Sequence, residues 1–139
     1  MLVRDRMSVN PLTIKSDADY KVAMKMMEEH ALHHVPVVDA RGELVGIVAE
    51  RDLLLAATRH LQSAIEVGEV MHGDVTTATL DMPIGEAAAL MADNRIGGLP
   101  VVDESGRVIG VITETDIFRA FVDRERQDGA VGSGTRIGR

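Results

Sequence analysis

The sequence predicts an α+β fold: two tandem β-α-β-β-α units packed about a pseudo-two-fold axis. Three observations carry that prediction. Pro36-Val37-Val38-Asp39 returns as Pro100-Val101-Val102-Asp103, an offset of 64 residues. Over Pro36–Asp52 the offset makes 8 of 17 positions identical, among them Gly42/Gly106, Gly46/Gly110, Glu50/Glu114 and Asp52/Asp116, where chance gives about one. It also holds upstream without a gap, pairing Met7 with Met71, Asp17 with Asp81 and Met27 with Met91. The expected organisation is residues 1–64 as the first unit, 65–128 as the second and 129–139 as a disordered, glycine-rich tail. A unit of about 60 residues is marginal alone, so the two should share buried surface, and the cleft between them is where function is expected.

Each unit opens with a β-prone stretch, Pro11–Lys15 and Val75–Thr79. A helix follows. Ser16 or Asp17 is the expected cap in the first unit; in the second Asp81 caps and Pro83 lies early in the helix, where its missing N–H does no harm. Apolar residues at helical spacing (Val22, Ala23, Met26, Met27; Ile84, Ala87, Ala88, Met91) carry these helices to about His30 and Asn94. Val35–Val38 and Leu99–Val102 are short β-branched strands. Asp39–Gly42 and Asp103–Gly106 read as hairpin turns, with Asp bonding the turn backbone and Gly accepting a positive φ. Leu44–Val48 and Val108–Ile112 return, each with a glycine inside, which marks a bulge or a close approach. Closing helices carry Leu53, Leu54, Ala57 and Leu61, then Ile117, Phe118, Phe121 and Val122. Residues 62–69 join the units.

Composition excludes several functions. There is no cysteine, which removes disulfides, thiolate nucleophiles and thiolate metal sites. The net charge of −7 argues against a nucleic-acid backbone as partner. No apolar run approaches a membrane span, and Met1–Arg6 lacks the apolar core of a secretion signal, so the expected location is cytoplasmic. With Tyr20, Phe118 and Phe121 the sole aromatics, aliphatic residues and 8 Met must fill the core. No nucleophile–base–acid set, P-loop or H-E-x-x-H motif is present, and the chain is read as not an enzyme.

The order strand, helix, P-V-V-D, hairpin, then Gly-hydrophobic-hydrophobic-Thr-x-x-Asp before a helix resembles the CBS domain, named after cystathionine β-synthase; the paired form is the Bateman module. Gly110-Val111-Ile112-Thr113-Glu114-Thr115-Asp116 has the full signature, while Gly46-Ile47-Val48-Ala49-Glu50-Arg51-Asp52 departs from it at Ala49. The resemblance spans about residues 5–125. It implies a regulatory module that binds an adenosine-containing nucleotide (AMP, ADP or ATP) between its two halves, with no required cofactor, and signals to an unidentified partner protein by a conformational shift. It further implies that Asp116 and Asp52 hold ribose and that Thr113 and Thr115 face phosphate. The base would rest on the opposite unit's opening stretch, near Leu12 for the Asp116 site and Val75 for the Asp52 site. His33 and His34, with Gly97 and Gly98, would reach phosphates.

Physical chemistry supports those roles and offers competitors. A carboxylate at a helix start can accept from both ribose hydroxyls, and a helix N-terminus suits phosphate. Thr113-x-x-Asp116 is equally a capping box. Ala49 cannot cap, which favours a separate use for Asp52, though stabilising the helix dipole would also explain it; Arg51 could replace the missing hydroxyl with a bidentate phosphate contact, or could equally be an exposed helix-start arginine. The ranking expected from sequence is a good site at Asp116 and a weaker or different one at Asp52. His30, His33 and His34 could hold a metal only if the helix ran through Val35-Pro36, which the proline opposes. The alternative reading is a ligand-free oligomerisation module. Exposed candidates on the closing helices, Leu54, Leu55, Phe118 and Phe121, would be covered in a homodimer.

Overall fold

The computed structural model describes residues 1–59 and 64–129; the expectations for Leu61 and for most of the tail fall outside them. After a 3₁₀ turn at Val3–Asp5 come strands β1 (Ser8–Val9) and β2 (Ile14–Lys15), helix α1 (Tyr20–His30), strands β3 (His34–Val38) and β4 (Leu44–Ala49) and helix α2 (Glu50–Arg59). A short helix α3 (Val67–Val70) precedes α4 (Ile84–Asn94), β5 (Gly98–Val102), β6 (Val108–Thr113) and α5 (Glu114–Gln127). The units are mixed α/β as expected, with two three-stranded sheets in the orders β2-β3-β4 and β1-β6-β5.

The hairpins follow from their turn residues. Gly42 and Gly106 sit at φ +83° and +85°, where a side chain would be strained. The Asp39 carboxylate accepts from the N–H groups of Arg41 and Glu43 at 2.9 and 3.0 Å. Asp103 repeats both contacts at Ser105 and Arg107 and adds the Ser105 hydroxyl. That hydroxyl and the Arg107 N–H hold the Asp103 carboxyl below the usual carboxylate range. Both hairpins slip register at the same place, between Val37 and Val38 and between Val101 and Val102.

Helix starts differ from expectation. The cap of α1 is Asp19, whose carboxylate accepts from Lys21 N–H, so neither Ser16 nor Asp17 caps it. The N-cap of α4 is Pro83 itself, and Asp81 instead pairs with Arg4. A carboxylate that binds a guanidinium from the other end of the fold's sequence, 77 residues away, is no longer available to the helix. The opening stretches are mostly irregular: only Ile14–Lys15 forms a strand, and its mate is reduced to a single parallel bridge, Ala78 to Val101. β1 was not expected.

The two cores exchange their opening segments. Ile65 and Val67 pack into the core built on β3, β4, α1 and α2, around Val35, Val37, Val48 and Leu53. Val3 packs into the other core, with Ala87, Leu99, Val101 and Ile112. The exchange is symmetric at the sheet edges. Ser8 pairs antiparallel with Val111 on β6, and His72, 64 residues later, pairs antiparallel with Ile47 on β4. Val3 and Val67 are wholly buried, each stabilising the assembly by roughly 1.5–3 kcal/mol. An ion pair of 2.6 Å from Arg6 to Asp123 also ties the first segment to α5. The sequence repeats are therefore contiguous while the packing units interleave, which fixes the halves against each other and defines the cleft.

Candidate functional site

The cleft between the repeats has a volume of about 830 Å³. One wall is the β4–α2 junction of the first repeat, with Ile47, Ala49, Arg51 and Asp52; the other is the C-terminal half of α4 and the start of α5, with Met91, Arg95, Glu114 and Ile117. His33, His34, Gly97 and Gly98 lie between them, at the N-terminal ends of β3 and β5.

Strand β4 runs directly into α2 and β6 into α5, so each junction presents a helix N-terminus and its acidic residue at the sheet end. At the α5 start, Thr113 and Asp116 satisfy each other. Asp116 Oδ2 accepts from Thr113 N–H at 2.9 Å and from the Thr113 hydroxyl at 3.0 Å. Thr113 Oγ1 accepts in turn from Asp116 N–H. This is the capping box. At the α2 start Ala49 has no hydroxyl, and Asp52 keeps only a long 3.4 Å contact with Ala49 N–H. Its Oδ2 turns to His72 Nε2 at 3.1 Å.

Of the residues expected to bind ligand, the structure gathers Asp52, Arg51, His33 and His34 on the cleft. Thr113, Thr115, Asp116, Leu12 and Val75 are not among its lining residues. Leu12 is exposed and Val75 half-buried elsewhere. The ranking expected from sequence put the better site at Asp116; the open cleft lies on the Asp52 side.

His34 is the point where the symmetry breaks. Its mate by repeat is Gly98, and its ring lies on the second repeat's glycines. A Cβ on Gly97 would stand 3.0 Å from His34 Cε1 and 3.1 Å from Nε2, and one on Gly98 would stand 3.4 Å from Cγ. A side chain at Gly97 would press on the imidazole, while one at Gly98 would rest against it in ordinary contact. Burial pushes the His34 pKa below its ordinary 6.5, against the pull of Glu114; His33 lowers it further and Asp52 raises it. His33 Nδ1 contacts Glu50 Oε2 at 2.6 Å.

Sequence reasoning missed His72, Glu114 as a cleft residue, and Arg95. His72 gave no local pattern because its partner Asp52 is distant in sequence. Arg95 holds a left-handed backbone (φ 54°) at the end of α4, as Ala31 does in the first repeat; a bulky residue where glycine is the usual choice was the available signal. His30 is not on the cleft. Among the described residues no group of three or more His, Asp or Glu side chains is placed to hold a metal ion, and no helix is long and apolar enough to cross a membrane.

Comparison with known proteins places this geometry in a family. The CBS domain model matches twice, over residues 3–59 and 67–123. The CBS domain pair of protein MJ0100, crystallised with 5′-methylthioadenosine and S-adenosyl-L-methionine, superposes with a TM-score of 0.82 at 36% identity, covering 89% of this chain and 98% of that one. CBSX2 in complex with AMP superposes with a TM-score of 0.78 at 28% identity, covering 90% and 98%. L-aspartate semialdehyde sulfurtransferase of Methanocaldococcus jannaschii is 37% identical over 120 residues, which are 86% of this chain and 23% of the enzyme. The likeness to that enzyme is thus confined to a minor part of its length. The chain belongs to the CBS domain family and carries two tandem copies of the domain.

Proposed function

We propose that this CBS pair is a regulatory sensor of an adenosine-containing ligand, AMP, ADP or ATP, bound in the cleft lined by Asp52. The observation that carries the reading is the asymmetry of the two acids. Asp52 lines an open cleft with its carboxylate held by a long contact to Ala49 N–H and by the exposed His72 imidazole, whereas Asp116 is held by Thr113 through two hydrogen bonds. A carboxylate at a helix start suits the two hydroxyls of a ribose, and Arg51 supplies charge for phosphate. The adenosyl ligands of the MJ0100 pair and of CBSX2 support the class of ligand. Asp116, with Thr113 and Thr115, remains a second and weaker site, since Thr113 already occupies its Oδ2. Ligand contacts both walls, so binding favours one relative angle of the repeats, and that shift is what a partner protein in the cytoplasm reads.

The test is thermal unfolding with AMP, ADP, ATP, 5′-methylthioadenosine and S-adenosylmethionine. A ligand at a hundred times its Kd stabilises by about 2.7 kcal/mol, a shift of several degrees. No shift with any of the five contradicts the reading.

A homodimer is proposed alongside it. Leu54, Leu55, Phe118 and Phe121 are 49%, 47%, 67% and 59% exposed on α2 and α5, an apolar face that a second copy would cover. Leu55 and Phe121 are not cleft residues, so Leu55→Glu with Phe121→Glu should yield a monomer in analytical ultracentrifugation while adenosyl binding persists. A wild-type chain that sediments as a monomer removes the dimer.

A further inference from the structure

The charged groups of the cleft are arranged in pairs, with one kind left over. Three carboxylates, three imidazoles and two guanidiniums line it. Each carboxylate faces an imidazole: Glu50 faces His33 at 2.6 Å and Asp52 faces His72 at 3.1 Å. Glu114 Oε1 and His34 Nε2 converge over Gly97, 3.3 and 3.1 Å from where its Cβ would stand. Arg51, at the start of α2, and Arg95, at the end of α4, are exposed and form no ion pair among the described residues.

We propose that the cleft is a proton-linked phosphate site, in which Arg51 and Arg95 grip a nucleotide's phosphate from opposite repeats while His34, lying on Gly97 and Gly98, takes up a proton. The inference rests on the adenosyl reading above and deepens it. With neutral imidazoles the lining carries a net charge of −1, from three carboxylates and two guanidiniums; a proton on His34 cancels it. A phosphate dianion is therefore opposed by the cleft when His34 is neutral and better accepted when it is protonated. His34 is the group with most to gain. It lies between α2, which offers Asp52, and α5, which offers Glu114, with His33 beside it. Burial keeps it neutral in the empty cleft, and an arriving dianion raises the affinity of such a group for its proton. A ligand without phosphate gives His34 no such reason to bind a proton.

The experiment is calorimetric titration of the chain with AMP and with adenosine at about pH 6.5 and about pH 8, each in two buffers of different ionisation enthalpy. Across this range AMP stays largely dianionic, its second pKa lying near about 6. AMP should bind about tenfold more tightly at the lower pH, with net proton uptake; adenosine should change by less than about twofold. Arg51→Gln with Arg95→Gln should abolish the preference for AMP over adenosine, and His34→Gln should abolish proton uptake. If both ligands bind with affinity independent of pH and no uptake, this inference is wrong and the adenosyl reading stands. If neither binds, the adenosyl reading itself falls and the inference with it.

Discussion

The α2 start and the α5 start use the same Glu-x-Asp framework after the same kind of strand, yet end in opposite states. At α5 the threonine hydroxyl closes a box with Asp116, and the acid serves the helix. At α2 one missing hydroxyl leaves Asp52 turned outward to His72, on the open cleft. The difference teaches that removing one cap hydroxyl redirects a helix-start carboxylate from the backbone to a distant side chain.

The comparison can be broken most severely in the core. Leu53 is wholly buried, while its repeat mate Ile117 is half-buried on the cleft wall. Leu53→Ala should cost about 3 kcal/mol in urea unfolding; Ile117→Ala should cost clearly less and should alter ligand affinity. Glycine substitutions come next. A Cβ on Gly46 would meet Met71 and, at 2.9 Å, the His72 carbonyl; one on Gly110 would meet the Ser8 carbonyl at 2.7 Å. Each Gly→Ala should cost about 2 kcal/mol by overpacking, but only Gly46→Ala should weaken adenosyl binding, because it shifts the segment that carries His72.

Exchanging the caps sharpens the comparison directly. Thr113→Ala should cost about 1 kcal/mol, and Ala49→Thr should gain about 0.5–1 kcal/mol. The gain should carry a loss, since a boxed Asp52 is withdrawn from ligand: titration of Ala49→Thr should show weaker binding in a more stable protein. The smallest expected effect is on pH. Burial holds His34 below its ordinary 6.5, so the unfolded chain binds this proton first. Ligand-free stability should therefore decline as pH falls below 6.5 toward the folded-state value, and His34→Gln should flatten that part of the curve.

Local chemistry was legible in the sequence. The ends of α1 and α4, the hairpins at Gly42 and Gly106, and the Thr113–Asp116 box all depend on residues within a few positions of one another. What depends on distant partners was not. Asp81 reads as a cap until Arg4 is seen beside it, and Ser8–Val9 is too short to show a period yet completes a sheet edge. The exchange of Val3 and Val67 between cores has no signature within one repeat. The cleft was legible as a place, between two copies, but its lining was not, because His72 and Arg95 reach it from segments with no local motif.

The central claim is that Asp52, rather than Asp116, forms the stronger ligand site. Calorimetric titration of AMP into wild type, Asp52→Ala and Asp116→Ala tests it most directly. The account predicts that Asp52→Ala loses at least about tenfold in affinity, the worth of one charge-assisted hydrogen bond, while Asp116→Ala stays within about twofold of wild type. A loss confined to Asp116→Ala would contradict it.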